Sequence, residues 1–437
     1  MSGAFAVGVV AALLVAYSLV ARRLSTTPIT GPMIFLSAGI LLGPAGLDAL
    51  AGFSPEAVRV IVETALVLVL FNDAASFRLR FRRSDLELPA RLLGIGMPLT
   101  VILGALIAAP VVGGITPLEA VALAIILAPT DAALGQAIVS NPLVPARVRN
   151  ALNIESGLND GLAVPLLSIA LAAAEAEPGS DPIRVLATFA GSLLPALIAG
   201  IAVGAVGGWL LAQATRREWT STGWSSVAVI ALAVLSYAMA QALGGSGFVA
   251  AFVGGLAFGK ATRTELQHTP AESEGITHLV SLLAFLVVGS AVLDPELGAL
   301  TPSMIVYAIL SLTVIRMLPV AVSMIGSGLR PRTVLYVGWS GPRGLATIVF
   351  ATIVLLDVPG PGATLVVTAA VVTSTISVYA HGLTAWPLSA RYGEWYGRLK
   401  GTGIEPAEAE PVEQPTLRRR LEPQLAVTAE PPPDQGA

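Results

Sequence analysis

Long apolar runs recur along almost the whole chain, and they decide its solvent. A helix needs about 20 predominantly apolar residues to cross the hydrocarbon core of a bilayer. Runs of that kind begin at Gly3 and continue to the region of Tyr379. Inside lipid every backbone N–H and C=O must be bonded within its own segment, so such runs read as helices. Composition agrees: the 437 residues are 54% hydrophobic and 12% charged. That charged share is about half that of an ordinary soluble domain, and the mean hydropathy is +0.78. A single soluble core is excluded, and so is a protein held by one anchoring span.

The pattern predicts an all-α membrane protein of about thirteen transmembrane helices. Their expected limits are 3–21, 29–50, 56–75, 87–112, 116–139, 148–174, 183–213, 223–243, 246–262, 276–293, 302–327, 333–356 and 362–386. Gly244-Gly245-Ser246-Gly247 separates spans eight and nine and suits either a tight turn or a helix break. The first run lacks a basic leader, and its charges, Arg22 and Arg23, follow the apolar residues. That order reads as a first span with its N-terminus outside rather than a cleaved signal.

The charges test the topology independently. With the N-terminus outside, 21 of the 25 Lys and Arg residues fall on connections assigned to the cytoplasm or on the C-terminal tail. Arg78, Arg80, Arg82, Arg147, Arg149, Arg216, Arg217, Arg330 and Arg332 are among them, while only Arg59 and Arg184 face outside. Basic residues resist translocation, and a wrong span count would scramble the alternation from the error onward. The expected place is therefore the cell membrane, multi-pass, with the C-terminus cytoplasmic. Residues 1–390 read as the transmembrane domain and 391–437 as a disordered tail, rich in Pro, Glu, Arg and Gln. The tail is too short for a nucleotide-binding or catalytic domain. There is no Cys, and the three histidines, His268, His278 and His381, are scattered. Thiol chemistry is excluded, and no zinc site or other cofactor is expected.

Few charges remain at membrane depth: Arg316, Arg343, Glu63, Asp73, Asp131, Glu155 and Asp160. Each costs about 2.5–3.5 kcal/mol at the bilayer centre on insertion scales, so such groups pair or line an aqueous cavity. In span six, Glu155 and Asn159 are four residues apart, as are Ser156 and Asp160. That spacing stacks their side chains on one helix face, with Gly157 and Gly161 admitting a neighbouring backbone. Span five carries Pro129-Thr130-Asp131, and Pro129 removes a helical hydrogen bond. Span twelve has a matching interruption, Gly338-Trp339-Ser340-Gly341-Pro342-Arg343-Gly344. The two breaks hold corresponding places in the first six and last six spans. Paired broken spans point to a transporter's midplane site between inverted repeats of six spans, here with spans 5 and 12 discontinuous and crossed.

The chemistry follows. Broken helices present carbonyl dipoles to a cation and N-terminal ends to carboxylates. Thr130, Asp131, Ser156 and Asp160 offer the oxygen ligands that a hard monovalent cation takes. Carboxylates crowded in a poorly solvated place also hold protons more tightly. Competition between a proton and a cation for one carboxylate is sufficient for antiport. Glu155 is expected to pair with Arg316 outside the ligand set, and Arg343 to offset carbonyl or carboxylate charge at the crossing.

At these residues the chain resembles the monovalent cation/proton antiporter family, in the branch of the sodium/proton exchangers. Pro129-Thr130-Asp131-Ala132-Ala133 looks like its first signature. Glu155-Ser156-Gly157-Leu158-Asn159-Asp160-Gly161 looks like the second and Gly341-Pro342-Arg343-Gly344-Leu345-Ala346 the third. The resemblance implies a homodimer with a moving core and elevator-like alternating access. It implies that Asp160 carries cation and proton, with Asp131 and Thr130 at the crossed helices and Ser156 as a neighbouring ligand. Asn159 before Asp160 is similar to members that exchange one cation for one proton electroneutrally. Leu70-Phe71-Asn72-Asp73-Ala74 also looks familiar; some members carry Glu at the place of Asp73, one methylene longer. The implied substrates are Na+ or Li+ against H+, with K+ against H+ the alternative and no nucleic acid or enzymatic activity expected. A cation channel is a remoter alternative, since no filter-like segment of repeated carbonyls appears. An intramembrane aspartyl protease would need a Gly-x-Gly-Asp type motif, and Gly157-Leu158-Asn159-Asp160 lacks it.

Overall fold

The computed structural model describes residues 3–24, 27–44, 46–47, 50, 55–77, 83–131, 134–135, 138, 141–175, 182–262, 269–292, 300–357, 360–400 and 407–409. Among the described residues all regular structure is helical. In chain order the α-helices are α1 (Gly3–Leu24), α2 (Gly31–Leu42), α3 (Pro55–Ser76), α4 (Arg83–Arg91), α5 (Met97–Val112) and α6 (Pro117–Ile126). They continue with α7 (Ala146–Glu175), α8 (Pro182–Arg216), α9 (Thr222–Ala242), α10 (Gly247–Ala261) and α11 (Thr269–Val287). The last are α12 (Pro302–Leu312), α13 (Val314–Ser323), α14 (Pro331–Trp339), α15 (Leu345–Asp357) and α16 (Pro361–Lys400). A π-helical turn at Leu92–Gly96 joins α4 to α5, another at Val288–Val292 extends α11, and Ala407–Ala409 form one 3-10 turn. Among the described residues, seven helices are long and apolar enough to cross a membrane, and five shorter ones are apolar as well.

Local chemistry sets the ends that matter for function. Helix α6 opens on a capping box: the Thr116 hydroxyl accepts from Glu119 N, and the Glu119 carboxylate accepts from Thr116 N at 2.6 Å. The sequence expects this span to reach residue 139, but the helix stops at Ile126. Pro129 disfavours helical backbone at Ala128 and brings no N–H of its own. Likewise α14 stops at Trp339 and α15 starts at Leu345, because Pro342 lies between them. The stretch Gly244–Gly247 is a tight turn, with Gly244 at φ +75° and Ser246 capping α10.

Other expected boundaries differ too. The expected span 302–327 is two helices, bent at Thr313. The Thr313 hydroxyl bonds the Ile309 carbonyl at 2.6 Å, and Pro319 interrupts the ladder further on. The last helix does not end near 386 but runs to Lys400, past the boundary placed at 390. Arg391, Glu394 and Arg398 dilute the hydropathy there, yet Leu388, Tyr392 and Trp395 keep helical spacing. They pack against Leu88, Val148, Tyr336 and Val337. The expected tail residues 401–406 and 410–437 lie outside the described residues.

The helices form two groups. In one, α3 packs on α10 and α11, and α10 packs on α8 and α9. In the other, α5 packs on α6 and α12, α6 on α7 and α16, and α16 on α12 and α15. The groups meet where α3 touches α7 and α15 and where α10 touches α7. The site lies at that seam.

Beyond α16, the turn at 407–409 docks on the start of α14. The Glu408 carboxylate, 1% exposed, accepts from Arg330 N at 2.9 Å and from the Thr333 hydroxyl at 2.7 Å. Arg147 at the start of α7 donates to the Ala407 carbonyl at 2.7 Å. Glu408 thus caps α14 from a distance in sequence, and an N-terminal cap is worth about 1 kcal/mol. Glu408→Ala is expected to lower the melting temperature in detergent, while Glu394→Ala, which removes only an exposed i,i+4 pair, leaves it unchanged. Equal melting of the two variants would contradict the cap.

Candidate cation and proton site

The chain outside helix at 127–131 touches the chain outside helix at 340–344. Asp131 N donates to the Pro342 carbonyl at 2.8 Å. The Asp131 carboxylate accepts from Leu345 N at 2.9 Å and from Leu134 N at 3.1 Å. It therefore serves the free amide end of α15, where a helix carries partial positive charge. The reverse happens at the carbonyl end of α6. Arg343, fully buried, donates to the carbonyls of Ala128 and Pro129, the latter at 2.9 Å. Thr347 Oγ1 donates to the Ile126 carbonyl at 3.2 Å. Gly344 is required by this approach, since a Cβ there would lie 2.0 Å from Asp131 Oδ2.

Helix α7 brings the other candidates against this contact. The Ser156 hydroxyl donates to the Thr130 carbonyl, and Asn159 Nδ2 donates to the Thr130 hydroxyl at 2.7 Å. Thr130, Asn159 and Asp160 are all buried. Two oxygens of this group have no hydrogen-bond partner: Asn159 Oδ1 and Asp160 Oδ1. A buried acceptor left without a donor costs free energy, and so it marks a place for a cation or a proton. The carboxylates that act on Asp160 through space are those of Asp131 and Asp73. Asp73 enters from α3, its Cβ 3.6 Å from where a Cβ on Gly157 would stand. A cavity lined by Asp131, Gly135, Ile138, Leu152, Asn153, Ser156, Ser340 and Pro342 reaches this group from one side. On α7 it ends at Ser156, one helical turn before Asp160. One turn beyond Ser156's neighbour Gly157, the ring of Phe252 occupies the space a side chain at Gly161 would need.

Glu155 is not brought into this group. It faces α13, where Arg316 holds it in a two-pronged pair, Nη1 to Oε1 at 2.6 Å and Nη2 to Oε2 at 2.9 Å. Both side chains are 2% exposed. Arg316 also lies against Gly341, so the pair ties α7 to the interruption at 340–344. The sequence reading passed over three polar residues of α16. Ser374 donates toward the carbonyls of Arg343 and Gly344, the latter at 3.2 Å, Ser377 accepts from Arg343 N at 2.6 Å, and His381 bonds Ser377. Their three- and four-residue spacing, which puts them on one face of α16, is the signal that would have found them.

The fold is that of an all-helical membrane protein with apolar helices. The model of the family described as sodium/hydrogen exchanger, transmembrane, matches residues 9–391, and the chain belongs to that family. A K(+)/H(+) antiporter NhaP of Alkalimonas amylolytica is 29% identical over 348 residues, 79% of this chain and 59% of that protein. A K(+)/H(+) antiporter NhaP2 of Shewanella oneidensis is 27% identical over 339 residues, 75% of this chain and 57% of its own. The chain thus spans less than two thirds of these relatives' length. An uncharacterized Na(+)/H(+) exchanger YjcE of Escherichia coli is 29% identical over 258 residues, 56% of this chain and 44% of that protein. Among solved structures, the sodium proton antiporter MjNhaP1 of Methanocaldococcus jannaschii superposes with a TM-score of 0.67 at 20% identity, covering 87% of this chain and 100% of that one.

The buried pair gives a direct test. Removing one partner leaves the other charge uncompensated, at a cost of about 3–5 kcal/mol. Arg316→Ala is expected to lower the melting temperature of the purified protein markedly, and Glu155→Leu combined with Arg316→Leu to recover part of the loss. Unchanged melting of Arg316→Ala would contradict a structural pair.

Proposed function

We propose that the chain exchanges a monovalent cation for a proton across the cell membrane, with Asp160 as the carrier of both. The observation that carries this reading is the contrast between the two aspartates. Asp131 has both oxygens bonded to backbone amides. Asp160 keeps Oδ1 without a partner beside the unpartnered oxygen of Asn159. A cation that enters takes the Asp160 carboxylate with oxygens from Asn159, Thr130, Ser156 and Asp73. When it leaves, a proton takes its place on the same carboxylate. The two loads exclude each other, so the site never crosses with both. Asn159 carries no charge, and with Asp160 as the single exchanging acid the stoichiometry is one for one and electroneutral.

Na+ or Li+ is the first reading for the cation, in keeping with the family. K+ is the second, and the names of the Alkalimonas and Shewanella relatives favour it. Both are hard cations suited to this oxygen set. Access alternates. The cavity extends from Ser156 and Asp131 toward Ile138 and Leu152, near the end of α7 that carries Arg147 and Arg149, which the positive-inside pattern assigns to the cytoplasm. Thirteen spans, with six-span inverted repeats and the segments at 127–131 and 340–344 as the breaks of two crossed helices, fit this reading. So does a homodimer in which α5 to α7 and α12 to α16 move against the other group.

Everted membrane vesicles holding an acid interior test the proposal. Addition of Na+ or Li+, or of K+ on the second reading, is expected to dissipate the pH gradient, and Asp160→Asn to abolish this at unchanged protein level. A gradient untouched by all three ions would exclude exchange, and an active Asp160→Asn variant would remove that residue from the carrier role.

A further inference from the structure

His381 takes no part in the exchange as described, yet it is 2% exposed in the middle of α16. Its surroundings concern the interruption at 340–344. The Trp339 ring, on the last residue of α14, stacks on the imidazole with centroids 4.8 Å apart. On its other side Nδ1 lies 3.0 Å from Ser377 Oγ, and that hydroxyl accepts the Arg343 N–H at 2.6 Å.

Nδ1 also lies 3.1 Å from the Ser377 backbone carbonyl, so the ring contacts both oxygens of that residue. Trp339 stands at one end of the non-helical segment and Arg343 at the other. Ser374, one turn before Ser377 on the same face, donates toward the Arg343 and Gly344 carbonyls.

We propose that His381 is a positioning residue for the cation site: through Trp339 and Ser377 it holds both ends of the 340–344 segment, and with them Asp131 and the Arg343 guanidinium. The linkage is short. Arg343 reaches the carbonyls of Ala128 and Pro129, next to Thr130, and Leu345 N holds the Asp131 carboxylate. Slackening the segment loosens the frame against which Thr130, Asn159 and Asp160 are set. This role rests on the exchange reading above.

The test separates the two. Nitrogen NMR of histidine-labelled protein in lipid discs, with only three histidines to assign, reads the His381 ring nitrogens without any transport. Ser377→Ala is expected to shift the Nδ1 signal of His381, and a signal blind to that substitution overturns the bridge. In vesicles, His381→Gln and Ser377→Ala are expected to raise the apparent KM for the cation about five-fold, the factor given by one ordinary hydrogen bond, with Ser377→Thr restoring it. Fewer folded molecules would lower the maximal rate and leave KM alone, so an unchanged KM also overturns the proposal. If the unaltered protein dissipates no gradient, the exchange reading fails while the bridge still stands or falls on the Nδ1 signal.

Discussion

Two helix ends of opposite polarity face each other inside the fold, and each is met by a charge from the other's segment. The carbonyl end of α6 receives Arg343, and the amide end of α15 receives Asp131. Buried backbone groups of this kind need a partner, so each charge answers a demand of the backbone as well as of the other charge. The exchange costs both side chains their freedom to act elsewhere. Asp131 is occupied, and Asp160, one helix away, is the carboxylate left with an open oxygen. The division of labour proposed for the two aspartates thus follows from which one the broken backbone needs.

A second charged contact locks the arrangement from behind. Glu155 and Arg316 join α7 to α13, and Arg316 rests on Gly341 in the same interruption that carries Arg343. The three segments that build the site are therefore joined by charges rather than by apolar packing alone. Such a pair adds little net stability to a fold, because desolvation offsets the attraction; its contribution is register. On the other face, α7 meets α3 and α10 through Gly157 and Gly161, against Asp73 and Phe252.

Much of this is written in the sequence in physical terms. Pro129 and Pro342 cannot continue a helix, and the acids at membrane depth stand beside them. Both facts can be read without a structure. The polar stripe from Glu155 to Asp160 is equally plain from its four-residue spacing. Its split is expected from the sequence as well, with Glu155 assigned to Arg316 and Asp160 left among the ligands, and in the structure Glu155 is paired with Arg316. Hydropathy fails where charges share a helix with a buried stripe, and so α16 runs on past Pro387 to Lys400. Ser374, Ser377 and His381 escaped notice because hydroxyls and a single imidazole barely disturb an apolar average. Glu408 escaped because its partners, Arg330 and Thr333, lie more than 70 residues away in sequence.

The central claim is that one buried carboxylate is shared between a proton and a cation. Proton release from the purified protein on cation binding, followed in a weakly buffered detergent solution, measures it most directly. The account expects one proton released for each Na+ or K+ bound, and none from Asp160→Asn. Cation binding without proton release, or release that persists in Asp160→Asn, would contradict it.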